Sequence, residues 1–462
     1  MLIRQFYLGC LAHASYLLAD ELAGIAAVVD PQRDIEIYLE EAARLRLRIA
    51  YVFLTHFHAD FLAGHLELRE RTGAEICLGS RAQAQYPFRA LVDGETVPLG
   101  ASRAQVLHTP GHTPESISLL VFEAGAAHPK AVLTGDTLFI GDVGRPDLRA
   151  ALGWSARDLG ALLYDSLQQK LLPLPDTTLI YPAHGAGSLC GKNLGRETVS
   201  TIGEQRRLNY ALQPMSKQEF LRLVLADQPD APAYFAYDAV LNTKPHDSLE
   251  ASLQKQMRPL GADEAEATRR AGALVLDTRG PQEHARAHWR GALNIPLEGS
   301  FATWCGTMLD LRREVVIVAH PGREREAGVR LGRIGFDRIA GFLDGGMQAM
   351  ETREALVASR ERLGPAELAA RRLGGQLTLV DVRTPAEREQ GAIPASLHLP
   401  LGQLTARRAE VPLHQPVVVY CQSGYRSSIA ASLLQSWNPD ASIADLEGGF
   451  QAWQASVAPA PG

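Results

Sequence analysis

The sequence is short of cysteines, long apolar runs and any excess of one charge, and each shortage excludes something. Five cysteines, at positions 10, 77, 190, 305 and 421, are odd in number, scattered and free of any CxxC spacing. Neither a disulfide framework nor a structural zinc knuckle fits that pattern. It suits a reducing, cytoplasmic compartment with free thiols. No run of 18 apolar residues occurs, so no membrane-spanning helix is expected. Near the start, Arg4 followed by FYLGCLAHASYLLA has the outline of a signal peptide. A single Arg makes a poor basic region, however, and His13, Asp20 and Glu21 break the apolar stretch. It reads as strand of the mature protein. Lys plus Arg number 46 against 52 acids, a formal charge of -6, which offers nucleic acid or an anionic membrane no general attraction.

What is present is globular. Apolar residues make up 46% of the 462 and charged residues 21%, and at about 150 residues per domain the length suggests roughly three domains. An internal repeat organises the C-terminal part. LVLDTRGPQEH (274–284) matches LTLVDVRTPAER (377–388), and GALNIPL (291–297) matches ASLHLPL (395–401). VVIVAH (315–320) then pairs with VVVYCQ (417–422), and FLDGGMQAM (342–350) with DLEGGFQAW (445–453). Each copy is about 100 residues, a domain rather than a solenoid unit. Continuous β-branched runs followed by helix-compatible sequence predict an open parallel α/β sheet in each. The charged, helical segments around 246–270 and 351–372 are the expected connectors. Residues 1–245 form a third unit whose apolar runs IAAVVD, IAYVFLTH, AEICLG, AVLTGD and TLIYPAH all end at polar residues.

Those polar ends carry chemistry. Thr55-His56-Phe57-His58-Ala59-Asp60 follows the run AYVFL directly, and His112 (HTPGHTPES), Asp136 (LTGDTLF) and His184 (YPAHGAG) follow other runs. One histidine is usually a structural residue; imidazoles and carboxylates at four strand ends make a natural metal site. The set resembles the metallo-β-lactamase superfamily, with its HxHxDH motif and later His, Asp and His, and this implies an αββα sandwich with the metal at one edge. The last His of the motif is Phe61 here, so a second metal loses a ligand, and the two-ion hydroxide of a glyoxalase II would be poorly held. His56, His112 and Asp136 remain: two histidines and a carboxylate with open positions, a set suited to non-haem iron(II) and O2. With VVDPQRD, THFHADFLAGH and GDTLFIGDVGRPDL, the whole of 1–245 resembles the persulfide dioxygenases. That resemblance implies iron on His56, His112 and Asp136, with His58, Asp60 and His184 beside it but not bound to it. Arg145 in GRPDL is either a substrate-binding cation or a clamp on Asp142 or Asp147. Cys190 either meets the substrate sulfur or is an inert buried thiol, and His65 is expected to be structural. Relatives that use glutathione carry His-Asp-Tyr where this chain has His184-Gly185-Ala186, which argues against glutathione persulfide as substrate.

The last copy has a second chemical signature. Cys421-Gln422-Ser423-Gly424-Tyr425-Arg426-Ser427 lies between the strand-like PVVVY and the helix-like SIAASLLQSW. Amide N–H groups at a helix N-terminus and the Arg426 charge both favour a thiolate and can hold a bound anion. Phosphatase loops space Cys and Arg one residue further apart. The domain resembles a rhodanese, which implies Cys421 as the sulfur-carrying nucleophile, Arg426 as its catalytic partner and Gln422, Ser423, Gly424, Tyr425 and Ser427 as the cradle. In the first copy His320 is expected at the nucleophile's place, with Arg325 matching Arg426, so that copy should be inactive. Cys305 lies well before that loop and is expected to pack.

The expected architecture is therefore an α/β multi-domain chain: a metallo-β-lactamase αββα sandwich (1–245), an inactive rhodanese-like domain (246–355) and an active rhodanese domain (356–462), both with parallel sheets. The expected function is oxidation of a low-molecular-weight thiol persulfide to sulfite by one iron(II) per chain, with zinc able to occupy the same site as isolated. Sulfur transfer through a Cys421 persulfide would make or use thiosulfate. The alternative is a zinc-dependent thioester hydrolase of glyoxalase II type with an appended sulfurtransferase. Expected partners are the persulfide, O2, and sulfite or thiosulfate, with no nucleic acid and no membrane; the thiol carrier, the direction of transfer and a homo-oligomeric state stay open.

Overall fold

Alternation along one strand explains the layering of the N-terminal unit. In His13–Asp20 the side chains of Ala14, Tyr16 and Leu18 join one core and those of Leu17 and Ala19 another, because successive strand residues point to opposite faces. The structure, a computed structural model, describes residues 1–149, 153–375 and 377–457. It forms two units, Met1–Ser252 with Gly332–Gly335, and Leu253–Leu331 with Phe336 onward.

The first unit has two six-stranded sheets. One runs in the order Leu2–Leu8, His13–Asp20, Ile25–Val29, Arg48–Phe53, Glu75–Gly79, Arg89–Leu91; the other Ser200–Thr201, Leu179–Pro182, Ala131–Gly135, Ile117–Phe122, Ser102–His108, Thr96–Leu99. Val29 and Phe53 from the first sheet meet Val106, Leu119 and Leu133 from the second in a core between them. Tyr38 and Ala42 of helix Glu36–Arg44 cover the outer face of the first sheet. Leu159–Leu163 and Phe220 lie in helices Ala156–Ser166 and Lys217–Leu225, and Leu163 and Phe220 cover the outer face of the second. This is the expected αββα sandwich. The N-terminal stretch differs in detail from the single strand expected: it is a hairpin of Leu2–Leu8 and His13–Asp20, turning at Gly9–Ala12, where Ala12 takes φ 51°.

The second unit holds two five-stranded sheets of one design. The first runs Pro259–Leu260, Ile339–Leu343, Val315–Val318, Leu274–Asp277, Leu293–Asn294, and the second Glu361–Leu363, Ile443–Leu446, Val417–Tyr420, Thr378–Asp381, Leu397–His398. Every pairing within them is parallel. Parallel neighbours need crossover connections, and the helices between the strands supply them. The central strands Val315–Val318 and Val417–Tyr420 are buried throughout, as their unbroken apolar runs require. The segments expected as connectors are partly built into the sheets: Ala265 of helix Ala262–Arg270 packs in the core of the first copy, and Glu361–Leu363 is an edge strand of the second. Most of their charged residues face solvent from elements whose inner face is apolar, while Glu266 and Arg360 are buried.

Candidate metal centre and sulfur-binding loop

The residues singled out at the ends of the runs converge. Strand Arg48–Phe53 delivers His56, His58 and Asp60; Ser102–His108 delivers His112; Ala131–Gly135 delivers Asp136; Leu179–Pro182 delivers His184. Two of these loops are held by specific bonds. Asp30 accepts from the Thr55 amide at 2.7 Å and the Thr55 hydroxyl at 2.8 Å, and Thr55 Oγ1 lies 3.0 Å from His56 Nδ1. His112 Nδ1 donates to the Arg145 carbonyl at 2.9 Å. That approach is possible because Gly144 has no side chain; a Cβ there would overlap the Asp136 carbonyl oxygen at 1.8 Å. Fixing each Nδ1 turns each Nε2 inward.

His112 Nε2 and His56 Nε2 lie 3.4 and 3.7 Å from Asp136 Oδ2. All three residues are buried, and His56 Nε2 and Asp136 Oδ2 have no hydrogen-bond partner among the described residues. Burial holds both histidines below the usual imidazole range, so their nitrogens carry free lone pairs. Burial would raise the Asp136 carboxyl, but the charge and hydrogen bond of His184 outweigh it and hold Asp136 well below the usual carboxylate range. Buried donor atoms within 4.8 Å of one another, two of them without a partner among the described residues, fit a metal ion.

The other motif residues surround this group. His184 donates through Nδ1 to Asp136 Oδ1 at 2.7 Å and through Nε2 to Asp60 Oδ2 at 2.8 Å. Burial works against its charge, yet the two carboxylates hold it well above the usual histidine range. His58 Nε2 lies 3.0 Å from Asp30 Oδ1. Phe61 is buried with its ring 4.0 Å from that of His13 and 4.3 Å from that of His58. Cys190 shares a second potential ligand group with Asp60 and His184. Burial, then Asp60 and Asp136, push its thiol well up. Arg145 is engaged by Asp147 through Nε and Nη2 at 2.7 and 2.6 Å and by the Leu189 carbonyl at 3.2 Å. His65 stays outside the centre, bonded to Ala63 O and packed on Tyr86.

Three residues not singled out from sequence also belong here. His13 is buried with neither ring nitrogen partnered among the described residues, and pairs across a β-bridge with His184. Glu115 accepts from the Phe57 amide at 3.1 Å, and Arg149 donates to the Phe57 carbonyl at 2.8 Å and to Glu115 at 3.0 Å. The pair grips the peptide between His56 and His58 from both sides. Phe57, Glu115, Arg149, Arg81 and Trp154 line a cavity of about 540 Å³. His13 and Glu115 stand inside LAHASYLLAD and HTPGHTPES, so position within a motif was the available signal.

In the last domain Cys421 follows strand Val417–Tyr420 and helix Tyr425–Trp437 begins four residues on. The Gly424 amide donates to Cys421 Sγ at 3.1 Å, and Ser427 Oγ lies 3.6 Å away. Gly424 takes φ 100°, a conformation L side chains rarely adopt. Arg426 is paired with both oxygens of Glu387 at 2.7 and 2.5 Å. Gln422 accepts from Arg383 at 3.3 Å.

The first copy needs one correction. Strand register places Val318 opposite Asp277 and Tyr420 opposite Asp381, so Ala319, not His320, occupies the position of Cys421. Gly346 and Gly449 confirm the match: an added Cβ would meet the carbonyl oxygen of Ala319 at 2.6 Å and of Cys421 at 2.4 Å. Anchoring on the two arginines hid this, because the first copy's loop is one residue longer. Either way this position holds no thiol. His320 is half exposed and pairs with Glu283 at 3.1 Å, and Cys305 is buried in helix Phe301–Met308.

The metallo-beta-lactamase superfamily model matches residues 8–184, and the rhodanese-like domain model matches 261–353 and 364–456. Persulfide dioxygenase ETHE1, mitochondrial, is 31% identical in Bos taurus and 30% in Homo sapiens over 230 residues, 48% of this chain and 80% of either relative. Hydroxyacylglutathione hydrolase GloC of Haemophilus influenzae is 29% identical over 213 residues, 41% of this chain and 89% of the relative. A solved metallo-beta-lactamase from Staphylococcus aureus superposes with a TM-score of 0.66 at 30% identity, covering 74% of this chain and 98% of that one.

Proposed function

We propose that this chain, which belongs to the metallo-beta-lactamase superfamily and carries two rhodanese-like domains behind that fold, oxidises a small thiol persulfide with O2 and transfers sulfane sulfur through Cys421. The oxidation takes persulfide, O2 and water to sulfite, free thiol and a proton. The observation that carries this reading is the buried group of His56, His112 and Asp136, whose ligand atoms lie within 4.8 Å of one another and of which His56 Nε2 and Asp136 Oδ2 have no partner among the described residues, with Phe61 beside it. Two histidines and one carboxylate suit iron(II), which when bound would supply O2 activation; zinc fits the same atoms. The chain's own residues do the rest. Thr55, Arg145 O and the Glu115–Arg149 pair fix the donors, His184 keeps a positive charge beside the centre, and the cavity at Phe57 and Trp154 has room for the thiol carrier.

In the sulfur-transfer step the Cys421 thiolate attacks the outer sulfur of a persulfide or thiosulfate and releases thiolate or sulfite. Attack of sulfite on the resulting cysteine persulfide returns the thiolate and gives thiosulfate. The Gly424 amide and Arg426 face the sulfur that carries the negative charge.

The test is anaerobic reconstitution with iron, followed by O2 uptake on several persulfides and metal analysis. One iron per chain with sulfite formation is expected; two stoichiometric metals with thioester hydrolysis would overturn the reading. That second reading, a zinc thioester hydrolase, is favoured by the Asp60, His184 and Cys190 group. It requires His184 to leave both carboxylates it now bridges, and Phe61 supplies nothing to the second ion.

A further inference from the structure

The first rhodanese-like copy lacks the thiol its fold is built to present. It nevertheless touches the working loop of the second copy, and does so through polar groups that are otherwise costly to bury. Helix Tyr425–Trp437, whose first turn cradles Cys421, turns Tyr425, Ser428 and Ser432 to one side, at spacings of three and four. Ser428 donates to Asn294 Oδ1 at 2.6 Å, and Ser432 Oγ accepts from the Asn294 amide at 2.9 Å. The Tyr425 hydroxyl donates to the Pro296 carbonyl at 2.9 Å, and its ring lies against Gly299. Asn294 is itself anchored: its Nδ2 donates to the carbonyls of Asp277 and Arg279 at 3.0 and 2.9 Å, at the end of the first copy's central sheet. Asn294, Ser428 and Ser432 are all fully buried.

This contact is not a residue of the repeat's symmetry. Aligned on Arg325 and Arg426, the first copy has Glu324, Ala327 and Leu331 where the second has Tyr425, Ser428 and Ser432, and the second has His398 where the first has Asn294. Serine inside a helix competes with the backbone, and a buried hydroxyl without a partner destabilises the fold. Ser432 donates to the Ile429 carbonyl of its own helix at 2.8 Å and Ser428 accepts from Arg360 at 3.2 Å, and Asn294 of the other copy takes up what remains, accepting from Ser428 and donating its backbone amide to Ser432. The sulfur-facing amide of Gly424 is next in the chain to Tyr425, so a shift of the helix end moves the amide with it.

We infer that the first rhodanese-like copy acts as a positioning platform: Asn294 and Pro296 hold the N-terminal turn of helix Tyr425–Trp437 where its amides meet Cys421. The inference rests on the reading of Cys421 as a sulfur carrier, but its first readout does not depend on transfer activity. Two variants of the full chain test it, Asn294→Ala and Tyr425→Phe, the second removing one oxygen should the first fail to fold. The rate at which iodoacetamide labels Cys421 at neutral pH, followed on its own peptide by mass spectrometry, is expected to fall about five- to tenfold, the rate equivalent of about one hydrogen bond. The kcat for sulfur transfer from thiosulfate to cyanide should fall by a similar factor with KM for thiosulfate little changed, while O2 uptake with persulfide is unaltered. A lower melting temperature with labelling rate and kcat as in the intact chain would mean that the contact only stabilises, and the inference would be wrong. An intact chain that labels at Cys421 but transfers no sulfur would instead sink the sulfurtransferase reading, with the labelling comparison still deciding the platform.

Discussion

Glu387 grips Arg426 through both carboxylate oxygens, 2.7 and 2.5 Å away. The corresponding Glu283 of the other copy takes His320 instead. The same carboxylate thus pairs with an arginine beside the cysteine in one domain and with a loop histidine in the other. In the working copy the ion pair sets the direction of the guanidinium, whose charge reaches Cys421.

That pair should show in acid. Burial would raise the Glu387 carboxyl, but bonds from Arg426 and the Thr384 amide bring it down to about 2, from an ordinary value of 4.5. Its folded value is depressed, so its contribution to stability is complete above about pH 4.5 and is lost as pH falls toward 2. Glu387→Gln should therefore melt lower than the intact chain at neutral pH, and the gap should close between pH 4.5 and 2. Melting curves across that window check it; a gap that stays constant would show that the ion pair contributes nothing.

Oxidation and transfer should separate by mutation. Cys421→Ser keeps the size of the side chain and removes the thiolate, so it should consume O2 normally, lose sulfur transfer to background and accumulate sulfite. His112→Ala removes one donor of the triad and should abolish O2 uptake while leaving transfer to added sulfite largely intact. Product chromatography after thiol labelling decides it. An unchanged ratio of sulfite to thiosulfate in Cys421→Ser would mean that the two activities are uncoupled.

The metal count should respond to Phe61. Its ring packs on His13 and His58 in the place where the motif of the superfamily has a histidine. Phe61→His is expected to raise the metal bound per chain from about one toward two, with Asp60 and His184 as the further ligands. Elemental analysis after reconstitution reads this directly, and a count that stays at one would show that Phe61 is not what excludes a second ion.

His320→Ala should leave Cys421 chemistry within about twofold of the intact chain, since the side chain is half exposed and bonded within its own copy. A sulfurtransferase assay on the full chain checks it. A large loss would give that loop a role in the transfer.

The candidate ligand group was legible because metal chemistry gathers unusual side chains at strand ends, and the repeat was legible because two copies share a core. What escaped were relations that sequence distance hides. Arg149 lies 34 residues from Glu115 and 92 from Phe57, and Ser428 lies 134 from Asn294, with no periodicity linking them. His13 looked like part of an apolar strand, and only the β-bridge to His184 brings it to the centre. The misplacement of His320 has a different cause: loops slip by a residue without penalty in an alignment, whereas ladder register does not.

The extra residue in the first copy's loop also makes a site like that of Cys421 hard to build there. Ala319→Cys alone would set a thiol at the end of strand Val315–Val318, but six positions from Arg325 instead of five, with Glu283 already occupied by His320. A deletion and a substitution would have to arrive together, and neither gives any gain by itself.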